Sequence, residues 1–460
     1  MNKLDEFKYN VAGKNITVIG IGISNLPLIK YLVSLGANVT ACDRRSAEDL
    51  GENYTELEKL GVKFNLGDGY LNNLSGDMIF KTPGMRYDVP ELLKAKENGS
   101  IVTSEMEVFF EVCPSHIIAV TGSDGKTTTT TLIHKMMTDA GYKTWLGGNI
   151  GIPLFTKLNE IEKEDIVVLE LSSFQLMGME ISPSISVITN ITPNHLNIHK
   201  DYEEYIEAKK NIFKYQNENG ILVLNYDNEI TRNCAKEANG KVIFFSSKEK
   251  LENGYIVDNG IIKECEDKIR KHVLDAKDVK LRGVHNYENI CTALAATKTL
   301  VNQDKAVEAI KEFNSVEHRL ELVKQIDGVK WYNDSVSSSP TRTIAGLNSY
   351  DEPIVLIAGG YDKNLDYTPI AKPIIQKVKC LILLGQTSGK IFDAVKEELE
   401  NQGKELPIYM CTTLKQTIDV AKKEAKSGDV VLFSPASASF DLFKNFADRG
   451  NQFKKLVNEL

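Results

Sequence analysis

Ile117-Ile-Ala-Val-Thr-Gly-Ser-Asp-Gly-Lys-Thr-Thr-Thr-Thr-Thr131 runs from an apolar β-branched stretch through a glycine-bracketed turn to a lysine and a run of threonines. That order predicts a buried strand, a phosphate-binding turn and a helix N-terminus, the parts of a polyphosphate cradle in a parallel α/β sheet. Backbone N–H groups of Gly122, Ser123, Asp124 and Gly125 would face the anion, and the Lys126 ammonium would neutralise it. The hydroxyl of Thr127 would reach Mg²⁺, with Thr128 beside it at the start of the helix. The usual spacing asks for a glycine where this chain has Val120, so the loop is a shortened Gly122-x-x-Gly125-Lys126-Thr127.

Outward from this loop, three blocks of alternating strand and helix patterns predict parallel α/β layers. The first opens on Ile16-Thr-Val-Ile-Gly20, continues through a helix near Leu26–Leu35 and a strand ending at Asp43, and closes near Ile101–Glu105. The second holds the phosphate loop and the strands Ile166–Glu170, Ile185–Thr189 and Ile221–Leu224. A polar, hairpin-like stretch over 246–280 and an alanine-rich helix over 287–300 follow. The third, after His318-Arg319, holds Ile354–Ala358, Cys380–Leu384 and Val430–Phe433. The expected domains are 1–104, 105–316 and 317–460.

A chain of 460 residues with 42% hydrophobic and 26% charged residues reads as a soluble, multi-domain globular protein. A net charge of −8 argues against a surface that coats nucleic acid, so phosphate must be bound by local groups. The polar start and the lack of a long apolar run predict a cytoplasmic protein without membrane attachment. Seven scattered cysteines with no Cys-x-x-Cys spacing are expected to be reduced thiols. The pair His195 and His199 has metal-like spacing, but Pro193 argues against a helix and an accidental loop pair is the simpler reading.

Gly20-Ile-Gly22-Ile23-Ser24-Asn25 resembles the start of a dinucleotide fingerprint, and Asp43 ends the second strand where a ribose-binding acid would sit. Asn25 stands where the third glycine belongs, which predicts looser helix-to-strand packing and favours a single nucleotide or nucleotide-sugar over a nicotinamide cofactor. Arg44 and Arg45 could meet a diphosphate or lie on the surface. Glu170 closes an apolar strand beside the phosphate loop, the position from which a carboxylate ligates Mg²⁺.

Helical periodicity over 202–215 puts Lys209 on a face with Tyr205, Ile206, Ile212 and Phe213, while Lys210 points away. Lys209 either snorkels to water or is a desolvated, nucleophilic amine able to form a carbamate with CO₂. Asn286 and Asn289 share a face of the alanine-rich helix and could read a nucleobase edge, or Asn286 could cap the helix. Arg319 and Asp334 flank the start of the third block and fit either phosphate and ribose contacts or a solvated hinge.

Together, Thr121–Thr127, Gly147-Gly-Asn149-Ile-Gly151, Glu170-Leu-Ser-Ser-Phe-Gln175, Asn194-His195, Lys209, His285–Asn289, His318-Arg319 and Asn333-Asp334-Ser335 resemble the Mur ligase pattern from Gly20 to the C-terminus. Ser434-Pro-Ala-Ser-Ala-Ser439 through Phe446 to Gly450, with Lys-Thr-Pro-Gly84, resembles the family's D-glutamate-adding branch. The resemblance implies a Rossmann-like N-terminal domain, a central P-loop NTPase-like parallel-sheet domain and a C-terminal Rossmann-like α/β domain. It implies ATP-driven amide formation in peptidoglycan synthesis through an acyl phosphate, on small-molecule substrates: ATP, UDP-N-acetylmuramoyl-L-alanine and D-glutamate. Two Mg²⁺ sites are implied, and a monomer is expected.

By the same resemblance, Gly122 through Thr128 hold ATP, with Asn286, Asn289, Arg319 and Asp334. Thr127 and Glu170 hold one metal; His195 and a carbamylated Lys209 serve the second. Lys126, His195, Lys209 and Arg319 would be catalytic. Ile23, Ser24, Asp43, Arg44, Thr82, Gly84, Asn149, Ser172 and Gln175 would face the UDP-linked substrate. Ser338, Lys363, Ser439 and Phe446 would receive D-glutamate. Some members carry a lysine where this chain has Val336, so Ser338 and Lys363 carry more of the recognition here. Three rival readings are a family member adding another amino acid, a nicotinamide dehydrogenase and a non-catalytic P-loop switch.

Overall fold

The β-branched runs become the centres of three sheets in a computed structural model, which describes residues 2–193 and 198–460. The first sheet contains β1 (Asn15–Ile19), β2 (Asn38–Asp43), β3 (Lys63–Leu66), β4 (Met78–Lys81) and β5 (Ile101–Ser104). Its order is β3-β2-β1-β4-β5, with every neighbouring pair parallel. Order therefore reverses at β1, and ligands of such sheets bind outside the carboxyl ends of strands at that point.

The second sheet contains β6 (His116–Thr121), β7 (Thr144–Gly148), β8 (Ile166–Glu170), β9 (Ile185–Ile188), β10 (Ile221–Asn225), β11 (Lys241–Ser246), β12 (Gly254–Asp258), β13 (Ile261–Glu266) and β14 (Ile269–Asp275). Its order is β14-β13-β12-β11-β10-β9-β6-β8-β7. Strands β6, β8 and β9 are covered on both faces, which explains why apolar residues dominate them. The hairpin-like stretch is an antiparallel meander of β12, β13 and β14 at one edge.

The third sheet contains β15 (Glu321–Ile326), β16 (Val329–Asn333), β17 (Ile354–Ala358), β18 (Val378–Leu384), β19 (Ile408–Cys411) and β20 (Val430–Phe433). Its order is β15-β16-β20-β17-β18-β19, and only β15 runs antiparallel to its neighbour. Apolar clusters cover both of its faces. Compactness divides the chain into two units. One runs through Asp278 and takes Glu288–Lys311; the other is Val279–Tyr287 with Glu312–Leu460. The first two sheets therefore belong to one unit and the third to the other.

The expected loosening at Asn25 does not occur. Asn25 opens the helix Asn25–Ser34, is 2% exposed, and donates from Nδ2 to the Ile19 carbonyl at 2.9 Å. Its amide bridges strand and helix where a glycine would merely permit their approach. All seven cysteines are free thiols. No helix among the described residues is long and apolar enough to cross a membrane.

Candidate active site

Strand β6 delivers the chain to Gly122, and the helix Lys126–Asp139 begins one residue after Gly125. Gly125 has φ +82°, and a Cβ there would lie 2.5 Å from Asn289 Oδ1. The loop therefore needs glycine for both its left-handed backbone and its contact with the alanine-rich helix Val284–Thr297. Asn289 Oδ1 also accepts from Thr129 Oγ1 at 3.2 Å. Asn286 is not the helix cap: it lies inside the first turn and donates to the Arg282 carbonyl at 2.6 Å.

Glu170 ends β8 beside this loop and is 2% exposed. Thr127 Oγ1 donates to Glu170 Oε2 at 2.7 Å, and Asn149 Nδ2 donates to Oε1 at 2.9 Å. A hydroxyl, a carboxylate and the loop's amides thus converge where parallel strands end. Lys126 Nζ donates to the carbonyls of Gly122 at 3.0 Å and Ser123 at 3.1 Å. The neighbouring strand end closes the other side, with Asn190 Oδ1 accepting from the Asp124 N–H at 2.9 Å and Thr189 Oγ1 donating to its carbonyl. Thr128 is buried beneath.

The helix Tyr202–Lys214 is capped by Asp201, which accepts from the Glu204 N–H at 2.8 Å. Its apolar face buries Tyr205, Ile206, Ile212 and Phe213 with Lys209, whereas Lys210 pairs outside with Glu207 and Glu237. Lys209 is 2% exposed and does not snorkel. Its Nζ donates to the Gly122 carbonyl at 2.8 Å and Thr121 Oγ1 at 3.2 Å, and stands 4.8 Å from the Tyr205 ring centre. Burial, reinforced by the Lys126 charge, holds its amine well below the usual lysine range. Ser123 Oγ and Tyr205 hydroxyl are 2.9 Å apart, a second tie between loop and helix. His195 lies outside the described residues. His199 is buried, stacks on Phe174 and meets Ser173 Oγ at 2.9 Å.

At the carboxyl end of the first sheet, a cleft of about 570 Å³ is lined by Gly20, Gly22, Asp43, Arg44, Thr82 and Gly84, among others. Burial alone would raise the Asp43 carboxyl, but Arg45 and the backbone N–H groups of Arg45 and Ile21 hold it down to about 2. Arg45, not Arg44, is the residue that pairs with Asp43, at 2.9 Å; Arg44 is exposed at the cleft. Ile23 is 86% exposed, and neither it nor Ser24 lines the cleft. Ser172 and Gln175 cap the short helix Ser173–Leu176 with each other's side chains.

The sequence reading missed Arg86, two residues beyond Gly84, which also lines the cleft. Its guanidinium donates to both oxygens of Glu204, at 2.6 and 2.7 Å, and to both of Asp88, at 2.8 and 2.7 Å. One arginine thus joins the cleft to the first turn of the helix that carries Lys209. Such bidentate pairs fix geometry as well as charge. The arginine after the Thr-Pro-Gly turn was the one available signal.

In the other unit, Asp334 follows β16, is 2% exposed, and accepts from Ser337 Oγ at 2.6 Å and Ser434 Oγ at 2.7 Å. Burial raises its carboxyl to about 6, against the pull of those hydroxyls and the Arg319 charge. Ser338, Lys363 and Ser439 lie in the loops after β16, β17 and β20, three adjacent parallel strands. Lys363 is exposed, 5.6 Å from the Phe440 ring centre; Ser439 is buried. Phe446 opens the last helix, Phe446–Asn458, with its ring 45% exposed.

Three family models match: "Mur ligase MurD-like, N-terminal domain" over residues 14–104, "Mur ligase middle domain" over 120–297, and "Mur ligase, glutamate ligase domain" over 318–437. A UDP-N-acetylmuramoylalanine–D-glutamate ligase from Acetivibrio thermocellus is 53% identical, covering 100% of this chain and 99% of that protein. Its namesake from Clostridium tetani is 50% identical over 100% of both chains. Among solved structures, UDP-N-acetylmuramate–alanine ligase from Thermotoga maritima shares the fold, with TM-score 0.60 at 19% identity over 97% of this chain and 99% of that one. A pseudomurein peptide ligase type C from Methanothermus fervidus gives TM-score 0.56 at 18% identity, covering 97% and 99%. Matched along nearly its whole length, from the cleft of the first sheet through the phosphate loop to the third sheet, the chain belongs to the Mur ligase family.

Proposed function

We propose that this chain is an ATP-dependent ligase that joins D-glutamate to UDP-N-acetylmuramoyl-L-alanine in peptidoglycan precursor synthesis. The observation that carries the reading is the convergence of Lys126, Thr127, Glu170 and Lys209 on one phosphate loop. A carboxylate is a poor electrophile at neutral pH. Its oxygen attacks the γ-phosphorus of ATP, ADP leaves, and an acyl phosphate results. The amine of D-glutamate then attacks the acyl carbon, and phosphate departs as the amide forms. Chemistry of this kind asks for positioning and charge neutralisation, which cations, amides and hydroxyls supply.

Residues 1–104 would hold the UDP-linked substrate, 105–316 ATP and 317–460 the amino acid. In the first, Arg44 would take the diphosphate at the cleft and Asp43 would shape its turn. In the second, the stretch from Gly122 to Thr128 would cradle the phosphates at the helix N-terminus, its Ser123 and Asp124 amides being taken up by Asn190, with Asn286 and Asn289 toward adenine. Thr127 and Glu170 are both oxygen donors and meet at 2.7 Å, a donor set that fits Mg²⁺. A cation bound there withdraws charge from the phosphates. Lys209 as a carbamate, with His195, would complete a second cation site. In the third, Ser338, Lys363, Ser439 and Phe446 would receive D-glutamate, while Arg319 and Asp334 serve the nucleotide. The protein would act in the cytoplasm as a monomer.

The test is isotopic. Heavy oxygen placed in the carboxylate of UDP-N-acetylmuramoyl-L-alanine must appear in the released phosphate. Label retained wholly in the amide product and unreacted substrate would exclude the acyl phosphate.

A further inference from the structure

Arg449 is among the largest fully buried side chains of the molecule, at 1% exposure, although it belongs to the first turn of the last helix. Its Nε donates to Ser335 Oγ at 3.0 Å, Nη2 to the Ser335 carbonyl at 2.7 Å, and Nη1 to the carbonyls of Ser437 at 3.0 Å and Ala438 at 2.9 Å. Ser335 lies in the loop after β16, and Ser437 and Ala438 lie in the loop after β20. A third loop abuts the same group: a Cβ at Gly360, after β17, would fall 3.1 Å from Nη1. One guanidinium therefore ties together the carboxyl-end loops of two adjacent strands and lies against the loop of a third.

Its charge has no ordinary counter-ion. Among the described residues no carboxylate lies within ion-pair distance of Arg449; the fields of Asp441 and Asp334 reach it from further off. Carbonyl dipoles solvate a buried cation but leave its net charge in place, and burial lowers the group to about 10. Buried charges are ordinarily paired, and leaving one without an anion is costly. The arrangement becomes economical when an anion arrives from outside. Open α/β sheets bind ligands at this carboxyl edge.

We infer that Arg449 is a positioning residue for the carboxylates of the incoming amino acid, bracing the loops of Ser338 and Ser439 against each other and lending them a positive charge that no carboxylate pairs directly. This rests on the D-glutamate reading of those loops. The guanidinium itself, held by main-chain carbonyls, is not required to touch the substrate. Nearby bonds stiffen the same arrangement, since Ser335 Oγ donates to the Phe446 carbonyl at 2.8 Å and Thr387 Oγ1 accepts from the Gly360 N–H at 3.0 Å.

The test compares steady-state constants for D-glutamate, ATP and the UDP-linked substrate in the wild type, Arg449→Lys and Ser335→Ala, with melting temperatures measured alongside. Lysine keeps the charge but cannot span the same set of carbonyls. In folded Arg449→Lys, KM for D-glutamate should rise roughly tenfold or more while the other two KM values stay within about twofold. Should that variant not fold, Ser335→Ala decides, with a rise of roughly threefold or more confined to D-glutamate. An unchanged KM for D-glutamate, or an equal rise for all three substrates, overturns the inference. A wild type that D-glutamate does not stimulate at all would instead sink the functional reading on which it rests.

Discussion

Lys209 Nζ lies 2.8 Å from the carbonyl oxygen of Gly122, which also accepts from Lys126 Nζ at 3.0 Å. Two lysine nitrogens thus share one loop carbonyl, although their residues come from different helices. Like charges at such a site are tolerated when one is neutral, and burial favours the neutral form of Lys209. A neutral amine next to a phosphate loop is the species that can react with CO₂.

For Lys209→Ala, ligase turnover should fall roughly a hundredfold, since Lys209 is the buried amine whose neutral form burial favours, and only that form can take up CO₂. Short carboxylic acids such as acetate should restore part of the rate by occupying the space of the carbamate. Full activity in the variant, measured by phosphate release, would remove Lys209 from the chemistry.

The bond from Thr127 Oγ1 to Glu170 Oε2 at 2.7 Å brings two hard oxygen donors together. Glu170→Gln should lower kcat by about two orders of magnitude and raise the Mg²⁺ concentration needed for half-maximal rate. A Mg²⁺ titration of the variant that overlays the wild type would contradict the assignment.

Gly125→Ala introduces a Cβ at φ +82°, 2.5 Å from Asn289 Oδ1. Left-handed backbone costs an alanine about 1 to 2 kcal/mol, so KM for ATP should rise roughly tenfold. Pairing it with Asn289→Ala should recover less than the whole loss, because the backbone strain remains. Unaltered ATP kinetics in the single variant would show that the loop does not cradle the nucleotide.

Glu105 begins the helix after β5 and is 6% exposed; burial pushes its carboxyl up to about 7, partly opposed by a bond from the Phe155 N–H. The folded state then holds a proton that the unfolded chain has released between pH 4.5, the ordinary value, and about 7. Stability from this group is complete below that window and falls as pH rises through it, by about 3 kcal/mol. Glu105→Gln should therefore gain on the wild type between about pH 5 and about pH 8 in urea unfolding. A difference that stays constant with pH would contradict the shift.

Much of the loop between β6 and the helix Lys126–Asp139 was legible because it is local. A β-branched run, two glycines, a lysine and a threonine stand together at Ile117–Thr127, and Glu170 closes an equally apolar strand. Helical periodicity also separated Lys209 from Lys210 correctly. Strands such as β3, Lys-Phe-Asn-Leu, and β7, Thr-Trp-Leu-Gly-Gly, escaped because they lack a β-branched run and owe their conformation to neighbours. The pairing of Arg86 with Glu204 spans 118 positions, and nothing local announces it. Arg449 is buried by loops that follow β16 and β20, more than a hundred and more than ten positions before it in the chain, and its own helix carries no local sign of that. At Asn25 the reason is different: a missing glycine predicts lost packing, whereas the amide makes the contact itself.

The choice of amino acid is read by incubating the protein with ATP, Mg²⁺ and UDP-N-acetylmuramoyl-L-alanine and offering D-glutamate, L-glutamate, L-alanine or a diamino acid in turn. Phosphate release and product mass are followed together. Stimulated release and a new amide-linked product are expected with D-glutamate alone. Equal stimulation by another amino acid, or ATP turnover without any joined product, would contradict the proposed function.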